Sequence, residues 1–167
     1  MKKQGFTLIE LMVVIVIMGV LAAVAVPKLF GMIAKSKASE VPTAAGSYIN
    51  MQDAFAIEKD GIGNWAEIGY SAPGVKSDAS NFASQNFEYT GADINSDTDT
   101  SKEDAWVAKA KNKLNDCASG ATWNMDVTYN KQSVSSAKAG NVEYDDGGSD
   151  SDCLTLTPAW KNLFSNS

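Results

Sequence analysis

The sequence predicts an α+β chain, with a long N-terminal α-helix packed on a C-terminal antiparallel β-sheet. Three observations predict it. An apolar run from Leu8 to Val26 opens the chain. An amphipathic stretch with helical spacing follows, and the second half alternates apolar and polar residues with a period of two.

The apolar run holds about 19 residues, close to what a helix needs to cross the hydrocarbon core of a bilayer. Lys2 and Lys3 precede it, which keeps that end cytoplasmic and points the rest of the chain outward. Glu10 is the anomaly. A charged side chain at the centre of a transmembrane helix costs roughly 2.5–3.5 kcal/mol on insertion scales, and less near an end. Such a residue calls for a partner. A secretory signal peptide would share the basic start, the apolar stretch and the small residues of Ala23-Val24-Ala25. The length of the run, Glu10 inside it and Pro27 just after it argue against that reading. A plain membrane anchor is the other simple one.

Beyond Val26 the helix turns amphipathic. Val41, Ala44, Ala45, Tyr48, Met51 and Phe55 recur at helical spacing, with Ser39, Glu40, Asn50, Asp53 and Glu58 between them. The spacing predicts one helix from Phe6 to about Lys59, roughly 80 Å long at 1.5 Å per residue. Pro27, Gly31 and Pro42 interrupt the pattern, and a kink or a locally melted stretch is expected there. Gly61-Ile62-Gly63 ends the helix as a C-cap. Gly61-x-Gly63-x-x-Ala66 matches a loose dinucleotide fingerprint, but it follows a helix and not a strand. The segment to about Ser84 reads as a loop tacked down by Trp65, Ile68 and Tyr70.

In the second half, Trp123, Met125, Val127 and Tyr129 alternate cleanly with polar residues. Trp106 to Lys111 alternates less cleanly. Phe87-Glu88-Tyr89 and Cys153-Leu154-Thr155-Leu156-Thr157 are further strand candidates, with a turn at Asp116 to Ala121. One face of this sheet should lie on the Val41 to Phe55 stripe, leaving the other polar. Pro158 to Phe164 places apolar residues at near-helical spacing and should dock on the sheet. Its aromatics serve either the core or a saccharide surface.

Composition narrows the function. The chain has 167 residues, a formal charge of -6, no His and no Arg. The usual general base and the bidentate phosphate clamp are therefore missing. An acidic chain without Arg is poorly suited to nucleic acid. No nucleophile–base pair or convergent metal cluster points to an enzyme. The two cysteines, Cys117 and Cys153, lie too far apart for a redox or zinc motif. In an exported chain they are expected to form one disulfide, worth about 3–4 kcal/mol in the chain-entropy model; the alternative is a pair of buried thiols. Asp93, Asn95, Asp97 and Asp99 echo the spacing of a calcium-binding loop, although Thr98 stands where the central glycine would be. Asp145, Asp146, Asp150 and Asp152 form a second acidic loop. Solvated surface loops are the simpler reading of both.

The N-terminal residues carry a specific resemblance. Gly5-Phe6-Thr7-Leu8-Ile9-Glu10, the apolar run and Pro27 together resemble the prepilin signature of type IV pilins and type II secretion pseudopilins. The resemblance covers roughly the first third of the chain. It implies a pilin fold, with residues 1–5 as a cleaved leader, 6–31 as the hydrophobic transmembrane and filament-core helix, 32–60 as its amphipathic half and 61–167 as the globular domain. It implies that a prepilin peptidase cuts between Gly5 and Phe6 and methylates the new amine of Phe6. Glu10 matches the glutamate that pairs with a neighbouring subunit's amino terminus during assembly. The implied life history runs from single-pass storage in the lipid of a bacterial inner membrane, through an inner-membrane assembly platform, to a homo-oligomeric filament at the cell surface. Family pseudopilins carry calcium in a C-terminal loop, which directs attention to the Asp145–Asp152 segment. A periplasmic pseudopilus subunit is the alternative within the family. A membrane-anchored exported polysaccharide-binding protein is the alternative outside it.

Overall fold

The computed structural model describes residues 6–78, 80–130 and 141–164. Helix α1 spans Leu8–Ala38 and α2 spans Glu40–Lys59, divided only at Ser39. Pro42 accounts for the place of the division. It lacks an N–H and crowds the carbonyl four residues back, which belongs to Ala38. Local hydroxyls cover the break: Ser39 Oγ donates to the Ser36 carbonyl at 2.7 Å, and Thr43 Oγ1 to the Ser39 carbonyl at 3.0 Å. Pro27 and Gly31 both lie inside α1, so no melted stretch separates them. A single missing donor at Pro27 does not stop the hydrogen bonds on either side. The helix ends at Asp60 rather than at Gly61. Asp60 takes the left-handed conformation with φ 53°, which aspartate tolerates better than most residues.

One face of α2 is buried, formed by Val41, Ala44, Ala45, Tyr48, Gln52 and Ala56. The expected stripe is thus corrected at its far end, where Met51 is exposed and Phe55 half-buried. Gln52 explains the change. Its side-chain oxygen accepts from the Gly63 N–H at 2.9 Å and its amino group donates to the Gly63 carbonyl at 3.1 Å. A buried amide is tolerated when both of its groups are paired, and here the pair pins the loop after α2.

Among the described residues, six strands form one antiparallel sheet in chain order: β1 Val75–Lys76, β2 Asn81–Ala83, β3 Phe87–Thr90, β4 Ser101–Ala110, β5 Thr122–Tyr129 and β6 Val142–Asp146. Strand β5 buries every second residue, as its sequence predicts. Strand β4 alternates poorly because its pairing with β5 shifts register between Lys102 and Trp106. Asp104 stands in that bulge at φ 51°, so Ala105 and Trp106 are both buried. Large and small residues alternate across strands, with Tyr89 opposite Ala108 and Ala108 opposite Trp123. The alanines of α2 let the helix approach this aromatic surface closely.

Two strand expectations are corrected. Short strands β1 and β2 lie where a loop was expected. The Cys153–Thr157 segment is not a strand: α3 spans Ser151–Leu154, and the N–H groups of Cys153 and Leu154 both bond the Asp150 carbonyl. The sixth strand is Val142–Asp146, which buries Val142 and Tyr144. A Cys117–Cys153 disulfide ties the β4–β5 connection to α3 across a sequence separation of 36. A 3-10 turn at Lys161–Leu163 follows Trp160, which is fully buried and packs on Trp106 and Phe164.

Tyrosines clamp the sheet to the helix. Tyr89 donates to Glu40 at 2.8 Å, Tyr144 to Asp53 at 2.7 Å and Tyr129 to Asp60 at 3.3 Å. Tyr70 reaches from the loop to the Ala44 carbonyl at 3.0 Å and accepts from Trp106 Nε1 at 3.0 Å. The Tyr48 hydroxyl is buried without a partner among the described residues. Burial is the main cause that raises the pKa of all five phenols, with Tyr70 pushed up to about 12. The carboxylates beside Tyr89, Tyr129 and Tyr144 raise those three further.

Tyr48→Phe should therefore leave stability unchanged or raise it by about 1 kcal/mol, whereas Tyr144→Phe should lower it by about 1–2 kcal/mol. Thermal melts at neutral pH would check the opposite signs, and equal losses in both variants would contradict the clamp. The folded phenols titrate above their ordinary value near 10, so the stability they provide is complete below about pH 10 and lost as pH rises through the raised values. Phenolate absorbance should appear together with unfolding, and a titration complete at pH 10 in the folded protein would exclude this.

Candidate functional site

The front of α1 is built by a capping box. Thr7 is the N-cap, and Glu10 stands at the third helical position. The Thr7 N–H and hydroxyl both donate to Glu10 Oε2, at 2.8 and 2.7 Å, while the Glu10 N–H donates to Thr7 Oγ1 at 3.3 Å. This arrangement satisfies donors that every helix start leaves open. It also fixes the carboxylate beside the chain end that Phe6 would become on cleavage. Oε1 has no partner among the described residues, so the carboxylate keeps room for a cation from outside the chain. Gly5 lies outside the described residues.

Behind this charge the helix is bare. Leu8–Lys59 is the one helix among the described residues long and apolar enough to cross a membrane, and its most apolar stretch is not buried at all inside the molecule. Phe6 and Leu8 are both 82% exposed. Burying each large apolar side chain is worth about 1.5–3 kcal/mol. A run of such residues far outweighs the cost of one carboxylate near its end. Nothing among the described residues covers this segment.

The other expected sites separate from it. Cys117 and Cys153 meet in the disulfide. In the first acidic loop, the Asn95 N–H donates to Asp99 Oδ2 at 3.0 Å and the Asp97 N–H to Asn95 Oδ1 at 3.1 Å; Asp93 is exposed. In the second, Asp146 accepts from Ser149, and Asp150 accepts from the Thr122 N–H at 2.7 Å; Asp145 and Asp152 are exposed. Asp99 and Asp146 brace their own loops, Asp150 ties its loop to β5, and no group of acidic, His or Cys side chains arranged for a metal ion occurs among the described residues. All four tryptophans are fully buried, so none offers a surface for a saccharide ring. Gln52, which pins the loop after α2, and the tyrosine–carboxylate pairs, which hold the helix on the sheet, were not legible in the sequence. Carboxylates on one element and tyrosines on another reveal their pairing only once the sheet is placed.

Comparison with known proteins bears on the same end of the chain. Residues 1–26 match the family model for the prokaryotic N-terminal methylation motif. The N-terminal segment carries the prokaryotic N-terminal methylation motif. The chain is 44% identical over 71 residues to the type IV major pilin protein PilA of Myxococcus xanthus, covering 42% of this chain and 32% of that one. It is 36% identical over 108 residues to a fimbrial protein of Dichelobacter nodosus, covering 62% of this chain and 59% of the relative. It is also 52% identical over 44 residues to the fimbrial protein EcpC of Eikenella corrodens, covering 26% of this chain and 29% of that one. The chain thus spans about a third of the first of these pilins. No solved structure gives a significant match. The pilin-type segment and the long helix with its following sheet agree in placing Phe6 and Glu10 at the front of the apolar span.

Glu10→Gln separates capping from charge, since glutamine can also close a capping box. The variant should insert into the membrane as well as wild type, yet lose at least about tenfold in filament yield, the ratio set by about 1.4 kcal/mol. Normal yield from Glu10→Gln would reduce the residue to a helix cap.

Proposed function

We propose that this chain is the structural subunit of a type IV pilus. It is stored in the inner membrane by α1, cleaved after Gly5 by a prepilin peptidase and N-methylated at Phe6. It is then delivered by an inner-membrane assembly platform into an extracellular helical filament. The observation that carries the reading is the bare apolar helix with one carboxylate fixed at its front. In the filament, Glu10 of one copy meets the Phe6 amine of another, and the Leu8 to Val26 segment exchanges lipid for neighbouring helices. A weakly screened ion pair in an apolar bundle selects register as well as attracting. The role is structural and not enzymatic, and it needs no cofactor. The names of the relatives, pilin and fimbrial protein, support this reading over a periplasmic pseudopilus subunit. The buried tryptophans count against the polysaccharide-binding reading.

Intact-mass and N-terminal peptide spectra of fibres sheared from the cell surface would test it. The expected result is a chain starting at N-methylated Phe6. A start at Met1 would mean an uncut anchor, and a start near Val26 would mean a secreted protein; either would overturn the proposal.

A further inference from the structure

Charge is unevenly placed along the molecule. From Leu11 to Ser39 the helix holds Lys28, Lys35 and Lys37 and no acidic residue. All three lysines are exposed, and neither ion pair among the described residues involves them. Lys28 and Lys35 are two turns apart on one helix face. With Met32 they line an open cleft of about 350 Å³ whose far wall is Asn115 and Leu156.

The C-terminal end of α2 is acidic. Glu58, Asp60, Glu67, Asp93 and Asp97 are all exposed around the end of α2. Contacts gather the loops there: Ser96 Oγ donates to Glu67 Oε1 at 3.0 Å, and Asn64 Nδ2 to the Ile94 carbonyl at 3.3 Å. A second cleft of about 430 Å³ lies between Phe55, Lys59, Glu67, Ser96 and Asp97. Lys59 is paired with Glu58 at 3.0 Å, so the rim keeps its negative sign.

We propose that this basic collar and this acidic rim are two halves of one head-to-tail contact between copies of the chain. The inference rests on the filament reading above and adds a second contact to it. The two surfaces are opposite in charge, and each cleft has an apolar residue in its lining, Met32 and Phe55. They lie about 28 residues apart on the helix, so the contact joins copies offset by roughly 40 Å along the axis. A contact between unlike surfaces is heterologous, and where its rotation does not close a ring it continues as a filament. Collar against collar, or rim against rim, is repulsive, so the same charges forbid the antiparallel arrangement.

Full-length variants in the assembling cell test this. Lys28→Glu with Lys35→Glu, and separately Asp93→Lys with Asp97→Lys, should each lower sheared-fibre yield at least about tenfold, with the amount of subunit in the membrane unchanged. Combining all four substitutions should restore most of the yield. Lys28→Gln with Lys35→Gln, which adds no repulsion, should fall between wild type and the Glu variant. Fibres of the Gln variant should also come apart at lower salt than wild type. Wild-type yield from the collar reversal, or failure of the combination to restore fibres, would overturn the contact. A collar reversal that lowers membrane retention instead would assign the lysines to anionic lipid headgroups, and so overturn it as well. Absence of fibres from wild type would overturn the filament reading itself.

Discussion

One constraint governs the molecule. The rod of α1 and α2, 52 residues long, must satisfy two surroundings, because its second half is covered by its own sheet and its first half by nothing among the described residues. The division falls near Ala34 and Ala38, the first helix residues buried by the globular part. The apolar residues before them stay exposed among the described residues. The Thr7–Glu10 capping box matters within this constraint because it lowers the cost of a charged helix start beside an apolar run. It supplies the carboxylate with local donors while leaving the charge in place.

The second half shows how a narrow helix face can hold a broad sheet. Alanines at 44, 45 and 56 bring the backbone of α2 close, and aromatic side chains from the strands fill the remaining volume. Phenol–carboxylate hydrogen bonds then fix the angle and register between helix and sheet, which apolar contact alone would leave loose. Glu40, Asp53 and Asp60 receive these bonds along most of the length of α2. The globular part is in this way locked to the rod, and a load applied to the rod is passed on to the sheet.

Much of this was legible in the sequence. The apolar run, Glu10 and Phe6 stand in one continuous segment, so their relation needs no tertiary information. Strand β5 was legible because period two and burial coincide in it. Strand β6 was not, because Val142 and Tyr144 are only two apolar positions before Asp145, Asp146 and Gly147. The Leu154 to Leu156 alternation misled for the opposite reason: the Asp150 carbonyl captures the following N–H groups and curls the segment into α3. Met51 and Phe55 outrank Gln52 by hydropathy, yet Gln52 is buried because Gly63 offers it a donor and an acceptor together. Pattern finds elements whose energy comes from burial alone, and loses those whose energy comes from a specific polar partner.

The strand order has a consequence for how the domain is made. Neighbours in the sheet are neighbours in the sequence from β1 to β6, with no crossover. Each strand can pair as soon as it emerges, on the edge left by the one before, and most pairings close short loops. Topologies of this local kind fold quickly compared with sheets built from distant segments. A chain threaded outward from its N-terminal helix would therefore complete its sheet progressively. Cys153 follows every described strand, so the disulfide can close only once all of them have emerged.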